Sequence, residues 1–190
     1  MKLERKTIIG LIFFICLIGF TYFQVTSLRV TNNNDIFKNR LNSLGYSVEI
    51  MGIPLNNLLL KQITTNSEKN YSLKDGNYLL MILSTSGCST CLWQELEKMK
   101  INSSTFKNGM QIKYIYHGDN MIDALRFNKF LLKSDTIYTS TDLKLKELNP
   151  SGKFPVLFYI KNGVVTDCHF PVPGDTLFSN LFYQRVTKKI

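Results

Sequence analysis

The chain has 190 residues, a net charge of +9 and 44% hydrophobic residues. This length allows one domain of ordinary size together with an additional segment. The basic residues are spread along the chain and form no dense run with interleaved aromatic side chains, so nucleic-acid binding is not expected. Four cysteines are too few for a disulfide-rich scaffold of this length.

An apolar segment comes first in the chain. Residues 7–23 carry no charge, and Val25 nearly extends the run. The run is about long enough to cross a bilayer and too long for the apolar part of a usual signal peptide. Because basic residues precede it, residues 1–6 are expected to stay in the cytoplasm. The sequence therefore predicts a single transmembrane anchor over 7–25 in the cytoplasmic (inner) membrane. The rest of the protein is then extracytoplasmic, or periplasmic.

Two alternatives to an anchor have weaker support in the sequence. A cleaved signal peptide needs small residues at its cleavage site, and residues 25–27 match that requirement poorly. A lipoprotein needs small residues before its modified cysteine, whereas bulky residues 13–15 precede Cys16. Within an anchor, Cys16 is expected to act as a small apolar residue.

A polar, asparagine-rich stretch over 26–45 predicts a spacer between the anchor and a folded domain over 46–190. The start of that domain, 45–60, contains β-type residues interrupted by glycine and proline, which predicts a short strand or hairpin. The remaining elements are clearest in the core of the domain, 75–190.

Patterns of apolar residues predict the elements of this core. Strands are predicted over 78–84, 110–116, 136–139, 155–160 and 164–170. Helices are predicted over 88–100, 120–132, 142–148 and 174–187, with a loop over 102–109. This order predicts an α/β fold in which a mixed sheet carries helices on both faces.

Two thiols, Cys88 and Cys91, lie where the strand over 78–84 gives way to a helix. The first turn of a helix has unpaired N–H groups and the positive end of the helix dipole, both of which favour a thiolate. A CxxC pair in this position predicts a redox-active dithiol.

The chain resembles the thioredoxin-like superfamily over residues 75–190. The resemblance rests on the CxxC after the first core strand and on Phe154-Pro155 at the start of the final hairpin. It is strongest for membrane-anchored, outward-facing thiol-disulfide oxidoreductases of bacteria, including the cytochrome-maturation thioredoxins. In that family the proline is cis and faces the CxxC, so Pro155 is a candidate cis-proline. Such peptide bonds are rare and tend to be functional.

Three positions differ from the family's usual pattern. Gly87 stands where an aromatic residue often precedes the first cysteine, and Gln94 stands where cytochrome-maturation members have a glutamate. Phe154 replaces the small residue that commonly precedes the proline. These differences bear on the redox potential and the client protein more than on the fold.

The resemblance implies protein disulfide reduction without a cofactor. Cys88 would be the nucleophile and Cys91 the resolving thiol. Phe154 and Pro155 would contact an extended segment of the client, and Trp93 is a further candidate for this contact. The implied partners are protein disulfide substrates, a membrane electron donor that recycles the dithiol, and the cytoplasmic membrane.

Further functions of the cysteines stay open at this point. A zinc site would need Cys168 and His169, but neighbouring residues on a strand point to opposite faces. Copper(I) binding by both thiols of the CxxC, with His117 or His169, is a metallochaperone alternative. A static disulfide and a non-catalytic interaction module are the remaining hypotheses; so short a loop gains little stability from a disulfide.

Three further residues have ordinary expected roles. Cys168 is expected to pack in the interior of the sheet. His117 is expected to be a turn residue at a strand end. Glu95 could accept a proton from Cys91, but we expect a solvated charge on the helix surface.

Overall fold

A computed structural model describes residues 5–84, 89–107, 109–118, 120–131, 135–140, 142–149, 152 and 155–189. Only the backbone is described for 5–13, 15–16, 25–33, 89, 107, 143 and 146. The helices are α1 (Arg5–Ile50), α2 (Ser89–Lys107), α3 (Met121–Phe130), α4 (Leu143–Leu148) and α5 (Thr176–Thr187). The strands are β1 (Asn57–Gln62), β2 (Glu68–Ser72), β3 (Asn77–Leu83), β4 (Gln111–Tyr116), β5 (Ile137–Thr139), β6 (Val156–Lys161) and β7 (Val164–His169).

The strands form one seven-stranded sheet in the order β2-β1-β5-β4-β3-β6-β7. Strand β4 is parallel to both of its neighbours, β3 and β5, and the other neighbouring pairs are antiparallel. The predicted α/β fold with a mixed sheet is confirmed. Asn162 and Gly163 form the turn that joins β6 to β7, and both have positive φ angles, of 51° and 76°. That geometry matches a tight hairpin turn, in which a glycine is favoured.

The sheet has a buried apolar layer on each face. Leu79, Met81 and Leu83 of β3 belong to one layer, which α2, α3 and α5 cover. Leu80 and Ile82 belong to the other layer, which includes residues of α4 and the end of α1. Burial on both faces explains why β3 is a continuous apolar run instead of an alternating one.

Helix α1 covers the predicted anchor, 7–25, and the predicted spacer, 26–45. The chain divides after Asn39 into two compact units, so the end of α1 from Arg40 onward belongs to the second unit. Among the residues that the structure describes, no helix combines the length and the apolar character needed to cross a membrane.

The strand predicted to begin near residue 45 is wrong for the first six positions, because α1 continues to Ile50. Ser43, Ser47 and Ile50 recur at helical spacing and are buried. The Ser43 hydroxyl donates to the Phe170 carbonyl oxygen at 2.8 Å. Burial of one face against the chain around β7 therefore favours helix over the local β-type composition.

The segment after α1 also covers β7, the last strand of the sheet. The Gly52 N–H donates to the Val165 carbonyl at 2.8 Å, and Pro54 forms a bridge with Val164. An edge strand with unpaired backbone groups is prone to pair with another chain. Residues 52–54 occupy that edge here.

Two further elements differ from the sequence predictions. The hairpin formed by β1 and β2 extends the sheet through β5. Helix α2 continues through most of the predicted loop over 102–109, ending at Lys107. Phe106 is fully buried and stacks on Tyr183 with a centroid distance of 6.0 Å, which holds the last turn of α2 against α5.

Candidate active site

Cys91 lies in the first turn of α2, just beyond the end of β3. Its side chain is 3% exposed and is disulfide-bonded. Cys168 is a free cysteine and is therefore not its partner. Gly87 and Cys88, the predicted nucleophile, lie outside the described residues. The structure thus gives the position of the second predicted redox cysteine, buried at the start of its helix.

Pro155 is brought to the same end of the sheet by the pairing of β3 with β6. Ile82 pairs with Val156 in antiparallel register, so Pro155 follows at the end of β3 from which the chain leads into α2. Its side chain is buried. Phe154 lies outside the described residues, and the predicted cis bond between Phe154 and Pro155 stays a prediction.

Gly152, three residues before Pro155, lies beside the ends of β3 and β4. The Ser84 hydroxyl donates to the Gly152 carbonyl. The His117 N–H donates to the Leu83 carbonyl at 2.8 Å, and a Cβ built on Gly152 would lie 3.9 Å from the His117 ring. His117 therefore lies at the end of the sheet from which the chain leads from β3 into α2.

Trp93 lies two residues after Cys91 and packs on α3. Its ring centroid is 5.3 Å from that of Phe127 and 4.9 Å from that of Phe130. The side chain remains 38% exposed. Trp93 therefore has a packing contact and an accessible surface near Cys91, and its role in substrate binding stays a prediction.

Glu95 is buried, and the expectation of a solvated charge is wrong. The residue is 2% exposed, one helical turn after Cys91. Ser179 donates to its Oε1 atom at 2.5 Å, and Lys98 Nζ lies 3.2 Å from the same atom. The Tyr183 hydroxyl donates to Oε2 at 2.9 Å. These contacts supply the charge-assisted hydrogen bonds that a buried carboxylate needs.

A second residue joins this network from β7. His169 Nε2 lies 3.0 Å from the Ser179 hydroxyl. Ser179 gives its one hydroxyl proton to Glu95, so it accepts a hydrogen bond from His169, whose proton is then on Nε2. Burial lowers the pKa of His169 to about 3, and burial together with the Glu95 carboxylate raises the pKa of Tyr183. Near neutral pH, His169 is uncharged and Tyr183 keeps the proton that it donates.

Cys168 faces away from that network, as the alternation of β7 predicts. Its thiol donates to the Ser47 carbonyl oxygen at 3.4 Å, and it belongs to the apolar layer on the opposite face. Burial raises its pKa to about 11. The expected packing role is confirmed, and Cys168 and His169 cannot both bind one zinc ion.

The network around Glu95 is not among the sequence predictions, although the sequence contains a signal for it. Leu92, Leu96 and Met99 define the buried face of α2, and Glu95 falls on that face between the first two. A charge on the apolar face of a helix predicts a buried partner. The partners, Ser179 and Tyr183, come from a distant helix and could not be identified by spacing.

No protein-family model matches the chain, and no curated protein matches it significantly. Solved structures do match. The thioredoxin domain of a thiol-disulfide oxidoreductase from Bacteroides vulgatus has a TM-score of 0.56 at 14% identity, covering 74% of this chain and 97% of the other. The exposed lipoprotein thioredoxin of Streptococcus pneumoniae has a TM-score of 0.50 at 17% identity, covering 70% and 99%.

A third similar structure is BsSco, a member of the Sco family of cytochrome c oxidase assembly proteins. Its TM-score is 0.50 at 12% identity, and the match covers 72% of this chain and 92% of the other. At these identities the likeness concerns the fold. The protein has the thioredoxin-like fold that the resemblance implied.

Proposed function

We propose that the protein is a membrane-anchored thiol-disulfide oxidoreductase that reduces disulfides in other proteins. The observation that carries this proposal is the buried, disulfide-bonded Cys91 in the first turn of α2, in a thioredoxin-like fold. Such a position separates a buried resolving sulfur from a nucleophile three residues earlier, at the start of the helix.

Cys88 is the nucleophile in this mechanism, because the N-terminal end of α2 favours its thiolate. The Cys88 thiolate attacks one sulfur of a client disulfide, and the other client sulfur leaves as a thiolate that takes up a proton. The Cys91 thiol then loses its proton and attacks Cys88 in the mixed disulfide. The second client thiol is released, and Cys88 and Cys91 are left as a disulfide.

Each cycle transfers two electrons to the client and oxidises the dithiol, so continued reduction needs an electron donor. We propose a membrane partner with a thiol pair of its own. Phe154 and Pro155 would pair with an extended client segment beside the dithiol, and the exposed part of Trp93 would contact it.

The proposed location is the outer side of the cytoplasmic membrane, with residues 7–25 as the anchor and 1–6 inside. Support for the anchor is the uncharged run over 7–23 preceded by basic residues. A structural neighbour, the pneumococcal thioredoxin, is described as an exposed lipoprotein, which is compatible with this fold acting outside the cytoplasm.

Trapping of client proteins tests the function. Full-length Cys91→Ser protein, expressed in a bacterial host, should accumulate mixed disulfides through Cys88 that disappear on reduction. The wild-type protein in detergent should accelerate the reduction of insulin by dithiothreitol above the rate without protein. The Cys88→Ser/Cys91→Ser double variant is the control and should do neither. If the Cys91→Ser protein forms no mixed disulfides and the wild-type protein does not accelerate insulin reduction, the proposal is overturned.

A copper(I)-binding metallochaperone is the second candidate, and the position of His117 favours it over a static disulfide or an interaction module. His117 lies at the end of the sheet from which the chain leads into α2, whereas His169 is buried and hydrogen-bonded to Ser179. Two thiolates and an imidazole suit Cu(I). This candidate predicts one Cu(I) bound per reduced chain, lost in Cys88→Ser and weakened in His117→Ala, with little insulin reduction.

A further inference from the structure

The second unit contains a contact between the end of α1 and the start of α5. Arg40 forms a bidentate ion pair with Asp175, in which Nη2 lies 2.8 Å from Oδ1 and Nε contacts Oδ2. Asp175 is 5% exposed and caps α5, accepting the Phe178 N–H at 3.1 Å. The hydrogen bonds from Arg40 lower the pKa of Asp175. A bidentate ion pair at a helix cap fixes both the position and the orientation of the start of the helix.

Helix α5 carries this contact to the helix of Cys91. Ser179 follows Asp175 by four residues, about one turn, and donates to Glu95 on α2. Tyr183 follows Ser179 by another four residues and donates to the other oxygen of Glu95. One face of α5 thus contacts Arg40 at its start and Glu95 over its next two turns.

Glu95 and Cys91 are both buried and lie four residues apart on α2. Residues at this spacing are neighbours on a helix surface, with Cβ atoms about 6 Å apart. The Cα–Cβ bond of a helical residue tilts toward the N-terminus of its helix, and Cys91 lies on that side of Glu95. A negative charge beside Cys91 disfavours the thiolate that the reduced Cys88–Cys91 pair carries on Cys88 in the proposed mechanism, and so favours the disulfide; the donors on α5 reduce this effect.

We propose that Arg40, Asp175, Ser179 and Glu95 are positioning residues for Cys91, so that the end of α1 sets the redox equilibrium of the dithiol through α5. This inference rests on the proposed function. It assigns a redox role to the end of α1 in addition to its packing against the chain around β7. Arg40 orients the cap of α5, the cap orients Ser179, and Ser179 shields the charge of Glu95 from Cys91.

The experiment is equilibration of the full-length protein in detergent with reduced and oxidised glutathione at pH 7. Two glutathione molecules reduce the Cys88–Cys91 disulfide to the dithiol and become glutathione disulfide, and alkylation shift gives the ratio of the two forms. Arg40→Met and Ser179→Ala should each shift the equilibrium constant at least threefold toward the disulfide, because the charge of Glu95 is less shielded. Glu95→Gln removes that charge and should shift it at least threefold toward the dithiol.

The double variant separates a path through α5 from general loosening of the fold. In Ser179→Ala protein, Arg40→Met should change the equilibrium constant less than 1.5-fold, because the hydrogen bond from Ser179 to Glu95 is already lost. Arg40→Lys keeps a positive charge beside Asp175, so its equilibrium constant should differ from that of the wild type by no more than half of the change caused by Arg40→Met. The control is Arg126→Met, which breaks the ion pair with Asp123 on α3 and should change nothing. Circular dichroism identifies variants that are folded.

Three outcomes overturn the inference. If the Arg40→Met protein is folded and has the wild-type equilibrium constant, the end of α1 does not affect the redox equilibrium. Equal shifts of Arg40→Met in the presence and absence of Ser179 show that the effect does not pass through α5. If the wild-type dithiol does not exchange with glutathione at all, the proposed function fails together with this inference, whereas exchange without the variant effects leaves the proposed function standing.

Discussion

Cys168 and His169 are neighbours on β7, but the two faces of the sheet satisfy them differently. On the face of α1 and α4, the Cys168 thiol contacts one backbone carbonyl and apolar side chains. On the face of α2 and α5, His169 joins a network of side chains that includes a buried carboxylate. A thiol can be buried at little cost, whereas a carboxylate needs several donors. The face beside Cys91 is therefore the one whose polar groups depend on each other.

The largest expected difference between the faces is the cost of removing Glu95. Glu95→Ala leaves Lys98, Ser179 and Tyr183 without their shared acceptor, and breaking a buried charged group of this kind costs roughly 3–5 kcal/mol. Urea unfolding of the full-length protein in detergent, followed by the fluorescence of its single tryptophan, measures the free energy. Glu97→Ala on the exposed side of α2 is the matched control and should stay within about 0.5 kcal/mol. Equal effects of the two variants would contradict the network.

The next largest effect is a dependence of stability on pH that comes from His169. Its pKa is about 3 in the folded protein and about 6.5 when unfolded, so between these values only the unfolded state binds the proton. Stability should therefore fall as the pH falls from 6.5 toward 3, by up to about 1.4 kcal/mol per pH unit. Above pH 6.5 His169 is unprotonated in both the folded and the unfolded state, so it lowers the free energy of unfolding no further.

Urea titrations at pH 7.0, 6.0, 5.0 and 4.5 measure this slope. His169→Gln keeps a polar side chain without the titration and should be flatter over this range. Asp167 pairs with Arg185 and Lys189, and Asp175 pairs with Arg40; these partners lower the pKa values of both carboxyl groups. Both groups act below about pH 4, so they do not account for the slope. A slope in His169→Gln equal to that of the wild type would assign the pH dependence to other groups.

The sequence predicts the elements whose apolar residues follow a regular spacing and whose ends are marked by turn residues. It cannot show how elements that are distant in the chain pack together. The predicted strands β3, β4, β6 and β7 agree with the structure within one or two residues, because each is a run of apolar residues next to turn residues. The prediction fails at the end of α1, since its β-type residues are helical only because Ser43 and Ser47 pack near β7.

The candidate site likewise contains residues that the local sequence identifies and one residue whose environment depends on distant partners. Cys91 and Pro155 are identified by a local motif and a hairpin start, and the pairing of β3 with β6 brings their segments to one end of the sheet. The prediction for Glu95 is wrong because its environment depends on Ser179 and Tyr183, more than 80 residues further along the chain. The helix places Glu95 on its buried face, but the hydrogen-bond partners that a buried charge needs come from a distant part of the chain.

The smallest expected effect belongs to Cys168, and it completes the comparison between the faces. Cys168→Ala removes one buried sulfur without leaving a charged group unpaired, so it should cost only about 1 kcal/mol in the same urea assay. Because burial raises the pKa of this thiol to about 11, iodoacetamide at pH 8 should leave it unmodified in the folded protein and modify it in urea. Rapid modification without urea would mean that the face covered by the end of α1 opens readily. In that case the contacts of Ser43 and Ser47 would be too weak to hold α1 in place, and Arg40 could not fix the start of α5.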